Sequence, residues 1–100
     1  MPNAVWFITY KLVKGASVSD FLLAAEECNN EVLSKNKGFI SWKQLRYDDM
    51  WADFVTWETM DDAIRAEKSD GEPNHVAQKF YSFLDFCSLK QQVYTVERSY

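Results

Sequence analysis

The 100-residue sequence predicts an α+β domain with the element order β-α-β-β-α-β, and three observations predict it. Four stretches, "AVWFITYKLVKG", "GFISWKQLRY", "WADFVTWE" and "CSLKQQVYTVERSY", have the composition and alternation of strands. Between the first and second, and again between the third and fourth, apolar residues recur at three- and four-residue intervals, as on one face of a helix. The strand stretches also carry bulky side chains in both registers. Successive side chains of a strand point to opposite faces, so this pattern implies a sheet covered on both sides.

The first stretch, residues 4 to 15, places Val5, Phe7 and Val13 in one register and Trp6, Ile8, Tyr10 and Leu12 in the other, and it stops at Gly15. Ser17 with Asp20 then has the spacing of a helix start resembling a capping box. Val18, Phe21, Leu22, Ala25, Cys28, Val32 and Leu33 form an apolar stripe, with Asp20, Glu26, Glu27, Asn30 and Glu31 on the other side. The spacing predicts one amphipathic helix over residues 18 to 34. "NKG" at 36 to 38 ends it. In the second strand Phe39 and Leu45 share one register and Ile40 and Trp42 the other; "DDM" at 48 to 50 is a tight turn into the third strand, where Phe54 opposes Val55 and Trp57. These two strands make a hairpin.

Thr59 with Asp62 repeats the helix-start spacing and opens a short helix through Met60, Ala63, Ile64 and Ala66, which "SDGEPN" interrupts. Pro73 suits a first helical turn, and Val76, Ala77, Phe80, Tyr81 and Leu84 continue a helical stripe, so the two pieces read as one broken crossover helix. The last strand, begun by Cys87, sets Leu89, Gln91, Val93 and Thr95 against Lys90, Gln92, Tyr94 and Val96 and is long and more solvated.

This order is the split βαβ arrangement called ferredoxin-like. Right-handed crossovers put the helices on one face of a four-stranded antiparallel sheet and leave the other face bare. Large apolar side chains there would make a patch of roughly a few hundred Å², more than a soluble monomer usually exposes, at about 25 cal/mol per Å² of burial forgone. A second copy packed face to face removes it with the same surface on each chain. A homodimer through the open sheet face is therefore expected.

Composition narrows the function. Eleven Lys and Arg against fifteen Asp and Glu give a formal charge of −4 without a basic cluster, which argues against nucleic acid as partner. No apolar run approaches the roughly 20 residues that span a bilayer, and the start "MPNAVWF" lacks a charged signal region, so the expectation is a cytoplasmic protein without membrane contact. Cys28 and Cys87 have no CxxC spacing and no neighbouring His, so neither a metal site nor a disulfide framework is indicated. Gly-rich phosphate loops, GxSxG and HExxH are absent. Sixteen aromatic residues, four of them Trp, supply much flat apolar surface for cores, pockets or interfaces.

"FITYKLVKG" followed by the amphipathic helix, "KGFISWKQLR", "VTWETMDDAIRAEKS" and "NHVAQKF" resemble, in order and spacing, the antibiotic-biosynthesis-monooxygenase-like proteins of the dimeric α+β barrel superfamily. The resemblance covers nearly the whole chain, and its most specific pieces are Gly38-Phe39 and Trp57-Glu58. It implies a homodimer whose two sheets form a shared barrel, with a pocket in each subunit between sheet and helices. Some members of that family oxygenate aromatic polyketides without metal or flavin; others degrade haem or act on quinones. The resemblance thus implies a small monooxygenase-like protein without cofactor, acting on a small aromatic or apolar compound. A non-catalytic ligand-binding or interaction protein of the same fold is the alternative.

His75, the only histidine, matches a region where members of the family often place one, and an imidazole there could move a proton near neutral pH. It is the catalytic candidate. Ile8, Tyr10, Trp57 and Phe80 are the candidates for a ligand-pocket lining. Haem-degrading members carry an Asn and a Trp at positions that fall on Ile8 and near Ala66 or Glu67, so haem degradation is not expected. Glu67 stands where many members have another histidine and reads as a solvated helix-surface carboxylate beside Lys68.

Overall fold

A computed structural model describes residues 2–69 and 74–100. Four strands, β1 (Ala4–Leu12), β2 (Phe39–Tyr47), β3 (Met50–Trp57) and β4 (Leu84–Thr95), form one antiparallel sheet in the order β2-β3-β1-β4. Helices α1 (Val18–Glu31), α2 (Met60–Ser69) and α3 (His75–Tyr81) complete the ferredoxin-like arrangement. The helix starts follow from their caps. Ser17 Oγ accepts from the Asp20 N–H at 3.3 Å, Thr59 Oγ1 from the Asp62 N–H at 3.1 Å, and the Asn74 side chain from the N–H groups of Val76 and Ala77. The helical start expected at Pro73 lies outside the described residues.

The helix-facing register of the two central strands is Trp6, Ile8 and Tyr10 on β1, paired with Val55, Asp53 and Trp51 on β3. Phe21 of α1 is the hub of the core beneath α1 and α3, with ring centroids 5.0 Å from Trp51, 5.5 Å from Phe80 and 6.2 Å from Tyr10. A second cluster beneath α2 gathers Ala4, Trp6, Val55, Trp57 and Ala63.

Several local readings are corrected. The helix expected through residue 34 ends at Glu31; Val32 leaves the helical region and a 3-10 turn over Leu33–Lys35 carries Leu33 into the second cluster. Leu22 is exposed although it belonged to the expected stripe, and Ala24 is buried in its place. On β2, Ile40 is an extra residue between the pairs Phe39–Trp57 and Ser41–Thr56, so Phe39 packs with Trp42 in the helix-facing layer and Ile40 is exposed. Leu84 begins β4 instead of closing the helix, three residues ahead of Cys87.

The opposite register carries Phe7, Phe54, Leu45 and Tyr94. Phe7 and Phe54 are half-buried while Leu45 and Tyr94 are exposed, at 45% and 50%, because the helices lie on the other side of the sheet.

Candidate functional site

Where the helix layer fails to fill the space above the sheet, a cavity of about 360 Å³ opens between the two core clusters. Trp6, Ile8, Trp42 and Val55 form its floor. Cys28 and Val32 of α1 and Phe80 and Tyr81 of α3 form its walls, and β4 closes one side with Phe86 and Leu89. The β4 side is shaped by an irregularity. Thr9 pairs with Lys90 but Lys11 with Asp85, so the residues of β4 between them have no regular partners opposite Tyr10. Lys11 N–H donates to Ser88 Oγ at 2.8 Å to bridge this gap, and Phe86 is left 60% exposed at the rim.

The lining is apolar with one buried carboxylate. Asp53 is 4% exposed and occupies the register that otherwise carries Trp51, Val55 and Trp57. The Tyr10 hydroxyl donates to its Oδ1 at 2.7 Å. Burial pushes the Asp53 carboxyl up to about 6, against the opposing pull of Tyr10 and of the Trp42 indole. The same environment drives the Tyr10 hydroxyl far above the usual phenol range: burial is the main cause, and the adjacent Asp53 charge adds to it. Tyr10 is thus held as a neutral donor and Asp53 as a group that titrates near neutrality. Two further donors stand beside them. Gln44 lies across from Asp53 on β2 and Trp42 two residues before it; the Gln44 Nε2 and Trp42 Nε1 groups are both buried without a hydrogen-bond partner. Trp42 is near enough to favour the Asp53 carboxylate but lacks the geometry of a hydrogen bond to it, and the geometry is the stricter criterion. Glu67 of α2 and Gln91 of β4 are exposed and complete the lining.

The structure brings together only part of what the sequence singled out. Ile8 and Phe80 line the cavity. Tyr10 is fully buried and reaches the cavity through Asp53. Trp57 is fully buried in the second cluster, 4.9 Å from the Trp6 ring and 5.7 Å from Phe39, and is not part of the lining. His75 is exposed at the first position of α3 and likewise is not part of the lining. Asp53 was missed, although its signal was present: it is the one acid in an otherwise aromatic and aliphatic strand register. Among the described residues no cluster of side chains is arranged to hold a metal ion, and no helix is long and apolar enough to cross a membrane.

The fold is shared with solved proteins of low sequence identity. SnoaB, a cofactor-independent oxygenase from Streptomyces nogalater, superposes with a TM-score of 0.76 at 12% identity, over 99% of this chain and 97% of that one. A proposed antibiotic-biosynthesis monooxygenase from Bacillus cereus matches with a TM-score of 0.64 at 17% identity, over 100% and 96% of the two chains. A dimeric ferredoxin-like protein from an uncultured marine organism matches with a TM-score of 0.64 at 10% identity, over 100% and 92%. No family model and no curated protein matches the chain. At such identities the likeness establishes the fold: this chain has the ferredoxin-like α+β fold of those proteins, the fold implied by its sequence resemblance.

Proposed function

We propose that the protein is a cofactor-independent, monooxygenase-like homodimer that holds a small aromatic compound in the cavity between its sheet and helices. The observation that carries this reading is the cavity, apolar and large enough for a small aromatic ligand, with one near-neutral carboxylate set in its wall. The likeness to SnoaB supports the reaction class. A group poised near the operating pH accepts the proton of a bound enolic hydroxyl conjugated to a carbonyl, and the electron-rich anion that results is the reductant of dioxygen. When a methylene of that ligand becomes a carbonyl, one oxygen atom enters the product and the other leaves as water, so atoms and electrons balance without flavin or metal. This reading gives the proton to Asp53 and not to His75, which is exposed outside the lining.

The dimer belongs to the same proposal. A half-buried centre of Phe7 and Phe54, continued by exposed Leu45 and Tyr94, suits a second copy of itself, and the dimeric protein of the same fold supports that assembly. Sedimentation at micromolar concentration should give a dimer, and Phe54→Glu a monomer; a monomeric native chain would reject the assembly.

Oxygen uptake with a hydroxyanthrone tests the activity. The native protein should accelerate uptake over autoxidation and Asp53→Asn should abolish the acceleration, with His75→Gln unchanged. The second reading is a ligand-binding protein without chemistry, for which the apolar lining of the cavity suffices. Tight binding with no added oxygen uptake would select it.

A further inference from the structure

The polar groups around Asp53 say more about the ligand than the volume of the cavity does. Tyr10 donates to one carboxylate oxygen, Oδ1. A carboxylate has acceptor capacity beyond one such bond, and Asp53 lines the cavity. Beside it the Trp42 indole N–H is buried and unpartnered, and Trp42 lines the same cavity. A buried donor left unmade is costly, and a bound acceptor removes the cost. An acceptor site and a donor site, side by side on one wall, match a ligand that offers a hydroxyl and a carbonyl on the same edge.

We propose that Asp53, held by Tyr10 and flanked by the Trp42 N–H, is a proton-sharing anchor for an acidic hydroxyl conjugated to a carbonyl, as in an enolised dicarbonyl or a hydroxyquinone. The proposal rests on reading the cavity as an aromatic-ligand site. The hydroxyl oxygen shares one proton with the Asp53 carboxylate, its electron pair staying on the ligand, while the carbonyl accepts from Trp42. Acidity discriminates between ligands. An ordinary phenol ionises near pH 10, so full transfer to a carboxylate near 6 is unfavourable by about ten-thousandfold. For a vinylogous acid the two proton affinities approach each other and the proton is held between the oxygens.

Tyr10 on β1 bonds Asp53 directly, and the other ionisable groups that line the cavity are Cys28 on α1, Glu67 on α2 and Tyr81 on α3. From β2 the neutral Trp42 and Gln44 face it, and from β4 the neutral Gln91. Only Glu67 among them is a second carboxylate, so it is the necessary control.

The test is an absorbance titration with 2-hydroxy-1,4-naphthoquinone and its 2-methoxy analogue between pH 5.5 and 8.5. An ionised ligand must take up one proton to share with ionised Asp53. Affinity for the hydroxyquinone should therefore be level below about pH 6 and fall about tenfold per unit above it. The methoxy analogue should bind more weakly at pH 6, without that slope. Asp53→Asn should remove the slope while keeping affinity for the methoxy analogue, which shows that the cavity is intact. Glu67→Gln should leave the slope in place. Equal binding of the two compounds by the native protein, a slope that survives Asp53→Asn, or one that disappears with Glu67→Gln would each overturn the anchor while leaving the cavity as a ligand site. Binding of neither compound would overturn both.

Discussion

The two ends of the helix-facing layer are built from the same pair of central strands and have opposite character. At the Trp57 end, the ring is fully buried between Trp6 and Phe39, and α2 is locked down by its first turn. There Asp62 accepts from Thr59 Oγ1 and Arg65 Nη1, both at 2.9 Å, and these partners, Arg65 first, hold its carboxyl below the usual range. Toward the Asp53 end the layer contains an unfilled cavity and a carboxyl raised by burial; buried donors without a partner occur in both regions, Trp42 Nε1 and Gln44 Nε2 here and Trp57 Nε1 in the other, but only here does a cavity adjoin them. One end is packed for stability. The other keeps void and electrostatic tension that folding alone would remove, which is the usual mark of a site that must admit something else.

The difference is broken most severely at Trp57. Trp57→Ala empties a fully buried, close-packed site and should cost about 3–5 kcal/mol, much of the stability of a domain this size, as read by urea denaturation. A loss below about 1 kcal/mol would show that the Trp57 end is not the packed one. Gly38→Ala comes next. Gly38 has φ +84, and a Cβ there would overlap the Asp62 side chain, so both backbone strain and displacement of the helix cap oppose the substitution. The expected loss is about 2–4 kcal/mol, also visible as a lower thermal midpoint.

Much of this closed end was legible in the sequence. Gly38-Phe39 and Trp57-Glu58 stood out as paired landmarks, and the capping role of Thr59 and Asp62 followed from spacing alone. Strand and helix order emerged because period-two and period-3.6 patterns are long and continuous over most elements. The readings that failed lie where an extra residue breaks the period. Ile40 reverses the register of Phe39, and the irregular stretch of β4 before Lys90 hides the true start of that strand at Leu84. The cavity was expected but its lining was only half found. Trp57 and Phe80 are both aromatic and both largely buried; which of them meets a void depends on the distance between α2, α3 and the sheet, and no spacing in the sequence encodes that distance. Asp53 is the opposite case, since an acid two residues from Trp51 and two from Val55 stands out in the strand pattern itself.

The two acids sharpen the comparison through pH. Asp62 has a lowered carboxyl, so its contribution is present above the unfolded value of 3.8 and is lost as pH falls through the lower folded value. For Asp53 the sign reverses. Its folded value is about 6 against 3.8 unfolded, so the folded chain holds a proton that the unfolded chain has released, and stability falls between those two values and stays low above them. Asp53→Asn keeps an acceptor for Tyr10 and removes the buried charge. It should therefore raise stability by about 3 kcal/mol at pH 8 and by nothing below pH 3.8. Denaturation midpoints that drop at pH 8 would mean that Asp53 is a structural acid like Asp62.

The smallest effect on stability is expected at the rim. Phe86 is 60% exposed, rests edge-on against Tyr81 with centroids 6.2 Å apart, and lines the cavity mouth. So exposed a ring buries little when the chain folds, and Phe86→Ser should shift stability by no more than about 0.5 kcal/mol. The same ring would lose water against an aromatic ligand, so the substitution should weaken binding of a naphthoquinone several-fold, read by the absorbance titration. A residue that matters for binding and barely for folding belongs to the open end; a residue such as Trp57, which matters for folding and touches no void, belongs to the closed one. If Phe86→Ser instead lowered the denaturation midpoint as much as a core substitution and left binding unchanged, the rim would be part of the packed layer, and the division between the two ends would lie elsewhere on the sheet.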